Sequence, residues 1–268
     1  MYVAGKSPEA SLVLFEVRER TGWITLNRSP KRNALNRALL EELLGVLDFL
    51  RQAGIPVVIL RAAKGSRVWS AGHDIRELPE IRRDPLGYDD PLEKALRAIQ
   101  RYPGAVIAMV EGAVWGGACD LVLTCDLVIG DPTSAFAITP VKIGLPYNVS
   151  GVMHFVSRLG LNRAKEMFFT AQPVDAERAL AFGILNHLVP TEELETFTND
   201  MARQIASNSS LSIAAIKEQF RILTNAHPIS PETFERVQGL RRKVYDSHDY
   251  AEGIQAFLEK RAPVFRGE

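Results

Sequence analysis

The chain has 268 residues, with 32 Lys and Arg balanced by 32 Asp and Glu, so its formal net charge is zero. This balance argues against a nucleic-acid-binding protein, which carries a strong basic excess. Hydrophobic residues make up 46% and charged residues 24%, which is typical of a globular protein and excludes a disordered chain.

The two cysteines, Cys119 and Cys125, are too few for a disulfide framework. We expect both to be reduced core residues, which favours a cytoplasmic location. No apolar run approaches the roughly 18 residues that cross a bilayer, so no membrane association is expected. Residues 1–10 do not follow the pattern of a signal peptide.

The first half of the chain alternates short strands with helices. Strands are predicted over 12–17 and 23–27 around a Thr21–Gly22 turn, over 57–60, 67–70, 106–110 and 127–129. A helix with a leucine stripe follows residue 35 and ends before Gly54. Asp90–Pro91 is a typical helix start, and another helix is predicted from the glycines at 116–117 to about 124. Residues 79–91 are polar and proline-rich, which predicts a loop.

The second half is predominantly helical. Helices are predicted over 153–159, 163–169, 175–181, 192–206, 211–223, 231–245 and 250–259, with one strand near 187–189. The expected organisation is one structural unit, with an α/β core over 1–190 and a C-terminal helical region over 191–268. Because amphipathic helices need surfaces to cover them, the helical region favours oligomerisation.

Several catalytic classes lack their motifs. The chain contains no dinucleotide-binding Gly-x-Gly-x-x-Gly, no P-loop and no Gly-x-Ser-x-Gly elbow. Its five histidines do not show metal-ligand spacing, so neither a metal nor a cofactor is expected.

Two segments, 70–75 and 111–120, each combine a strand, a glycine turn and a possible helix start. Glycine lets a ligand lie against bare backbone, and a helix beginning at Gly116–Gly117 directs unpaired N–H groups at that ligand. Two such donors from separate loops form an oxyanion hole. Alternatively, the glycines only permit tight packing between helix and strand.

Together with the segments 27–36, 179–186 and 257–261, these two loops resemble the crotonase (enoyl-CoA hydratase/isomerase) superfamily over nearly the whole chain. The resemblance implies an α/β spiral of ββα units followed by a helical trimerisation region. It also implies that the backbone N–H groups of His73 and Gly117 bind the thioester oxygen of an acyl-CoA and stabilise an enolate. The expected assembly is a homotrimer or a dimer of trimers.

The hydratases of this family use two glutamates, and this chain has Asp120 and Pro140 in their places. Loss of one general acid–base partner costs about 10²–10⁴-fold in rate. Decarboxylation of a malonyl-type thioester reaches the same enolate without a base. Segments 70–75, 114–117 and 139–148 resemble the decarboxylating members of the family, in which the position of Tyr147 handles the substrate carboxylate. Those members usually have glutamate where this chain has Asp120.

The expected reaction is therefore the cofactor-free decarboxylation of methylmalonyl-CoA to propionyl-CoA and CO₂, which makes the protein a carbon–carbon lyase. His73, Gly117, Tyr147 and Asp120 are the catalytic candidates. The substrate-binding candidates are Ala71, Gly72, Asp74, Ile75, Thr139, Lys260, Arg28 and Trp115. The resemblance favours Lys260 as a contact to the CoA phosphates.

Several alternatives stay open at the level of sequence. The imidazole of His73 either touches the carboxylate or packs, Tyr147 is either functional or a packed interface residue, and Asp120 either serves the site or only complements the helix dipole. At the level of function, the alternatives are an enoyl-CoA hydratase or isomerase that uses Asp120 alone, and a non-catalytic acyl-CoA-binding protein.

Overall fold

The computed structural model describes residues 11–77, 87–224 and 230–268. In chain order the strands are β1 (Val13–Arg18), β2 (Thr21–Leu26), β3 (Val57–Ala62), β4 (Val68–Ser70), β5 (Ala105–Val110), β6 (Ala113–Trp115), β7 (Leu127–Gly130), β8 (Ala135–Ala137), β9 (Val174–Asp175) and β10 (His187–Leu188). The helices are α1 (Arg37–Gln52), α2 (Pro91–Gln100), α3 (Gly117–Thr124), α4 (Val149–Leu159), α5 (Leu161–Thr170), α6 (Ala176–Phe182), α7 (Leu194–Ser207), α8 (Ser210–Thr224), α9 (Pro231–Tyr245) and α10 (His248–Glu259).

Two sheets are built by alternate strands of the chain. The larger sheet has the order β1-β2-β3-β5-β7-β10, and the smaller has the order β4-β6-β8-β9. In both sheets the central strands run parallel to their neighbours. The first turn, β1-β2-α1, places both strands in the larger sheet, and the next two turns, β3-β4-α2 and β5-β6-α3, place one strand in each sheet before the helix. This confirms the predicted spiral of ββα units.

The predicted turn at Thr21–Gly22 is wrong, because both residues belong to β2 and pair with β1. The turn instead lies at Glu19–Arg20, where Glu19 has a φ of 54°. Gly22 has a packing role: a Cβ at this position would lie 2.7 Å from Leu50 of α1. Glycine here allows the helix to approach the sheet closely.

Most other predicted elements are present within a few residues. Asp90 caps α2 as expected, since its carboxylate accepts a hydrogen bond of 2.8 Å from the N–H of Leu92. Cys119 and Cys125 are buried and free, in agreement with the prediction. Strands β6, β8 and β9 were not predicted. Residues 1–10 and most of the predicted loop, 79–86, lie outside the described residues.

Helix α7 covers one face of the larger sheet, where Leu194, Ala202 and Ala206 pack against the strands. Helix α10 instead packs against the short helical turn Pro140–Ile143. A division of the chain at residue 190 stays a prediction. Among the described residues, no helix is both long enough and apolar enough to cross a bilayer.

Candidate active site

Three neighbouring strands of the smaller sheet, β4, β6 and β8, end at the same edge. Because they are parallel, the segments that follow their carboxyl ends meet there. These segments are the loop at 71–74, the start of α3 at Gly117, and Thr139. The sheet therefore brings together the two glycine loops that the sequence singled out.

The backbone N–H groups of His73 and Gly117 lie side by side at this edge. A Cβ added to Gly117 would be 3.7 Å from the His73 nitrogen. The Gly117 N–H is at the first position of α3, where a helix has no internal acceptor for it. Within the described ranges, neither N–H donates a hydrogen bond. Two adjacent donors without acceptors form the geometry of an oxyanion hole.

Gly72 allows the two loops to approach each other. It has a φ of +81°, and a Cβ there would lie 2.4 Å from the Trp115 carbonyl oxygen and 3.1 Å from the Gly117 nitrogen. No side chain fits between those atoms. Gly72 and Trp115 thus fix the spacing of the N–H groups of His73 and Gly117 through the backbone.

These N–H groups face a pocket between α2, α3 and the turn at Pro140–Ile143. Its wall includes seven predicted site residues, namely Ala71, His73, Ile75, Gly117, Asp120, Thr139 and Tyr147. Gly116, which precedes α3, lines it as well. The wall also includes Leu92, Glu93, Pro140, Ile143, Leu145 and Asn148. The fold therefore brings seven predicted site residues together, six with side chains and Gly117 with its backbone N–H.

Asp120 is buried in the first turn of α3. Its Oδ1 lies 2.8 Å from Nδ1 of His154 on α4. Burial of the imidazole opposes protonation, but the hydrogen bond and charge of Asp120 outweigh it and raise the pKa of His154. The pair connects the pocket to the outer side of α4.

A second carboxylate, Glu93 of α2, also faces the pocket. It accepts hydrogen bonds from the Asn148 amide and, at 3.1 Å, from the Ser150 hydroxyl. Burial, together with the negative charge of Asp120, raises the pKa of Glu93. Position 140 is a proline, but the pocket is lined by two carboxylates, Asp120 on α3 and Glu93 on α2.

Tyr147 is held by edge-to-face contacts with Phe155 and Phe168, whose ring centres lie 6.2 and 5.1 Å away. Burial raises the pKa of its hydroxyl well above the ordinary value, so the side chain is neutral and available as a hydrogen-bond donor. The hydroxyl has no hydrogen-bond partner within the described parts of the chain. The Nδ1 atom of His73 is likewise buried there without a partner, and burial lowers the pKa of this histidine.

Four side chains that were predicted to bind substrate do not line the pocket. Arg28 and Asp74 form an ion pair of 2.9 Å behind the loop, and Arg76 also pairs with Asp74, mainly lowering the pKa of that carboxyl through its hydrogen bond. Trp115 lies within β6, outside the pocket wall. Lys260 is exposed at the end of α10 and forms no ion pair with the described residues. Their contact with substrate stays a prediction.

Sequence reasoning missed Glu93 and Asn148 as pocket residues and His154 as the partner of Asp120. The helix periodicity placed His154 and Glu93 on helices, but which way those helices face depends on how α2 and α4 pack against α3. Asn148 does carry a local signal, since its side chain caps α4 by accepting from the Gly151 N–H at 3.1 Å. Among the described residues, no cluster of His, Cys, Asp and Glu is suited to hold a metal ion.

Comparison with known proteins identifies the family. The enoyl-CoA hydratase/isomerase family model matches residues 16–268. Methylmalonyl-CoA decarboxylase of Escherichia coli (strain K12) is 51% identical over 244 residues, covering 91% of this chain and 94% of the relative. Human enoyl-CoA hydratase domain-containing protein 3 is 35% identical over 252 residues, covering 91% of this chain and 80% of the relative.

Solved structures agree with this match. A methylmalonyl-CoA decarboxylase in complex with 2-nitronate-propionyl-CoA superimposes with a TM-score of 0.95 at 48% identity, covering 96% of this chain and 99% of the other. The complex of that enzyme type with 2S-carboxypropyl CoA gives a TM-score of 0.94 at the same identity and coverage. The chain thus belongs to the enoyl-CoA hydratase/isomerase family, the crotonase superfamily.

Proposed function

We propose that this protein decarboxylates methylmalonyl-CoA to propionyl-CoA and CO₂ without a cofactor. The observation that carries the proposal is the pair of unengaged N–H groups at His73 and Gly117, facing a pocket in which Pro140 replaces a catalytic carboxylate. Supporting it, the 51% identical relative is a methylmalonyl-CoA decarboxylase, and structures of that enzyme type hold CoA derivatives.

In this reaction the thioester oxygen accepts hydrogen bonds from His73 N–H and Gly117 N–H. The bond between Cα and the carboxylate breaks, CO₂ leaves, and the electron pair of that bond forms the enolate. Negative charge then accumulates on the thioester oxygen, directly at the two donors, so they bind the transition state more strongly than the substrate. Bond cleavage itself does not require a base.

Cleavage is fastest when the breaking bond lies perpendicular to the thioester plane, because the released electron pair can then enter the carbonyl π system. Tyr147 and Thr139 stand on the pocket wall and supply hydroxyl groups for the carboxylate. The ring of Tyr147 is fixed by Phe155 and Phe168, so its hydroxyl is pre-positioned. Ala71 and Ile75 line the same wall and contact the acyl-CoA.

The remaining binding residues act outside the pocket. Lys260 is free to meet the CoA phosphates, and the Arg28–Asp74 ion pair supports the loop that carries His73. We also propose that α8–α10 form the contacts of a homotrimer or a dimer of trimers. The two free cysteines fit a cytoplasmic location.

The test is incubation of the purified protein with methylmalonyl-CoA, with propionyl-CoA and CO₂ measured together. We expect equal amounts of both products at a rate far above the uncatalysed one. Crotonyl-CoA serves as the comparison substrate and is followed at the enoyl absorbance. Hydration of crotonyl-CoA without decarboxylation would establish a hydratase, and tight acyl-CoA binding without turnover of either substrate would establish a binding protein. Both results reject the proposal.

A further inference from the structure

His154 lies between two cavities, and the proposed reaction uses only one of them. On one side its Nδ1 atom contacts Asp120, which lines the acyl pocket. On the other side its Nε2 atom lies 3.0 Å from the side-chain nitrogen of Gln100. Both Gln100 and His154 line a largely apolar groove between α4 and α8, which includes Met153, Ile216 and Phe220. The imidazole thus connects the pocket to the groove.

Decarboxylation leaves an enolate that must acquire a proton at Cα, and four titratable side chains line the pocket, namely His73, Glu93, Asp120 and Tyr147. Burial lowers the pKa of His73, which disfavours the imidazolium form that would be an acid. Tyr147 is a poor acid because burial raises the pKa of its hydroxyl. Both oxygens of Glu93 accept hydrogen bonds from Ser150, and one also accepts from Asn148. Asp120 differs, because Oδ1 contacts His154 whereas Oδ2 accepts no hydrogen bond from the described residues.

Asp120 is also well placed relative to the oxyanion donors. It follows Gly117 by three residues in α3, and both residues line the same pocket. An enolate bound at the Gly117 N–H therefore lies in the pocket that Asp120 also lines.

The surroundings of His154 permit it to exist in both protonation states. In the present orientation the Gln100 amide donates to Nε2, and the Nδ1 proton is directed at Asp120. Rotation of the amide by 180° would present its oxygen, which accepts a hydrogen bond from protonated Nε2.

The charged groups around His154 differ in sign. Asp120 on α3 and Glu93 on α2 favour the imidazolium, whereas Arg158 on α4 and burial oppose it. On α8, Lys217 also lines the groove, but it is paired with Asp126 at 2.6 Å. Arg221 of α8 lines the groove as well and binds Glu218. The carboxylates outweigh the opposing groups, and the pKa of His154 is raised.

We propose that His154 is a proton-relay residue, which passes protons from the α4–α8 groove to Asp120, the acid that protonates the enolate. The proposal rests on the decarboxylase function proposed above.

The proton balance is as follows. In the resting pair Asp120 is a carboxylate and His154 holds the proton. His154 transfers its Nδ1 proton to Oδ1 of Asp120, and rotation of the carboxyl group brings that proton to the pocket. Asp120 then gives it to Cα, a C–H bond forms from the enolate electron pair, and the carboxyl group becomes a carboxylate again. Water in the groove returns one proton to the imidazole. Overall, methylmalonyl-CoA and one proton give propionyl-CoA and CO₂.

The test separates protonation from decarboxylation by using deuterium oxide. His154→Asn keeps a side-chain N–H near Asp120 but cannot carry an additional proton. Met153→Leu, in the same groove and helix, is the matched control. Two quantities are measured: the stereochemical purity of the [2-²H]propionyl-CoA formed from methylmalonyl-CoA, and the exchange of the α-protons of added propionyl-CoA with solvent deuterium.

For the wild type and Met153→Leu we expect one predominant product stereoisomer and measurable exchange. For His154→Asn we expect exchange to fall about 10²-fold or more, as for loss of a general acid–base group. The product should also lose stereochemical purity, because solvent protonates the enolate. A pH profile adds a third readout: the stereochemical purity of the wild-type product should fall as the pH rises through the raised pKa of His154, because the neutral imidazole no longer supplies a proton to Asp120, and this decline should be absent in the variant.

Wild-type exchange and product purity in His154→Asn would overturn the relay. Circular dichroism establishes that the variant is folded, and His154→Gln replaces it if it is not. A wild type that fails to decarboxylate methylmalonyl-CoA rejects the proposed function instead. The exchange of propionyl-CoA still tests the relay in that case, since it needs only the oxyanion donors, the Asp120 carboxylate that removes the α-proton, and the return of a deuteron from Asp120 to Cα.

Discussion

At the scale of single residues, the chemistry proposed here depends more on backbone atoms than on side chains. His73 and Gly117 contribute N–H groups, which any residue except proline possesses. These two N–H groups can bind one ligand oxygen because they lie next to each other and donate to no acceptor within the described residues. A substitution experiment must therefore remove the N–H itself and not only a side chain.

Gly117→Pro removes one donor of the oxyanion hole. Proline is tolerated at the first position of a helix, so α3 can still form. We expect kcat to fall about 10²–10³-fold, as for other oxyanion donors. The control is Gly117→Ala, which adds a Cβ 2.9 Å from the flexible end of Leu92 but keeps the N–H. Equal activities of the two folded variants, measured by propionyl-CoA formation, would contradict the assigned role.

Tyr147→Phe removes a hydroxyl and keeps the ring that packs against Phe155 and Phe168. A hydrogen bond to a charged group contributes about 1.5–3 kcal/mol, so we expect an approximately 10–100-fold loss of kcat/KM for methylmalonyl-CoA. Thermal stability should remain close to that of the wild type. Binding of propionyl-CoA, which lacks the carboxylate, is the control and should be unchanged. A similar loss of propionyl-CoA binding would indicate a packing role instead.

At the scale of elements, local signals in the sequence were sufficient for most helices and for the strands of the larger sheet. The alternation of apolar residues, the leucine stripe of α1 and the Asp90–Pro91 start of α2 are each encoded within a few residues. The resemblance to the crotonase family supplied the spiral of ββα units. Strands β6 and β8 were missed; they have three residues each, although β4 has the same length and was predicted.

The site was predictable to the same degree. The glycine loops and Tyr147 were found because glycine turns and the family resemblance identify them. Glu93 and His154 were not, because Glu93 reaches the pocket, and His154 reaches Asp120, only through the packing of α2 and α4 against α3. Likewise, Arg28 and Asp74 carry charges that suit a ligand, but the fold pairs them with each other. Contacts of this kind join residues that are far apart in the sequence, so the residues next to them in the chain do not predict them.

Gly72→Ala tests the contact between the two loops. The added Cβ would meet the Trp115 carbonyl oxygen, and the residue would also retain an unfavourable φ of +81°. Gly65→Ala is the matched control, since Gly65 has a φ of +79° and open space around its Cβ position. Strain alone costs about 1–3 kcal/mol and applies to both variants.

We expect both variants to lose thermal stability, but only Gly72→Ala to lose kcat strongly, because only it separates the N–H groups of His73 and Gly117. Melting temperature and kcat measured on both proteins distinguish the two effects. A comparable kcat in the two variants would show that loop spacing does not control the reaction.

At the scale of the whole molecule, the net charge of zero has a consequence for substrate binding. The overall field of the protein does not attract the negatively charged CoA, so local cations must do so. Lys260 is exposed and unpaired among the described residues, and its helix packs against the pocket wall at Pro140–Ile143. It is the residue we expect to meet the phosphates.

Lys260→Glu should raise KM for methylmalonyl-CoA by roughly 10-fold, with kcat nearly unchanged, because a phosphate contact provides uniform binding. The matched control is Lys165→Glu on α5, which changes the net charge equally. The N-acetylcysteamine thioester of methylmalonate lacks the CoA phosphates, and its KM should not respond to either substitution. An equal rise in KM for both thioesters would place Lys260 in a structural role.

Assembly is the other property of the whole molecule. Outside the α4–α8 groove, helices α8–α10 expose a group of large apolar side chains, namely Leu211, Ile222, Leu223, Phe234, Leu240, Phe257 and Leu258. Exposed apolar surface of this extent is typical of an interface between subunits. Helices α9 and α10 also pack against each other, so their exposed apolar side chains form a candidate surface for a second copy.

Light scattering after size-exclusion chromatography should therefore give a mass that is a multiple of 29.7 kDa. Leu240→Glu places a charge on the α9 part of this surface and should shift the protein toward the monomer. Phe169→Glu, at an equally exposed apolar residue of α5, is the control and should not. A wild type of 29.7 kDa across the micromolar range would contradict an oligomer, and dissociation only by the α5 variant would place the interface elsewhere.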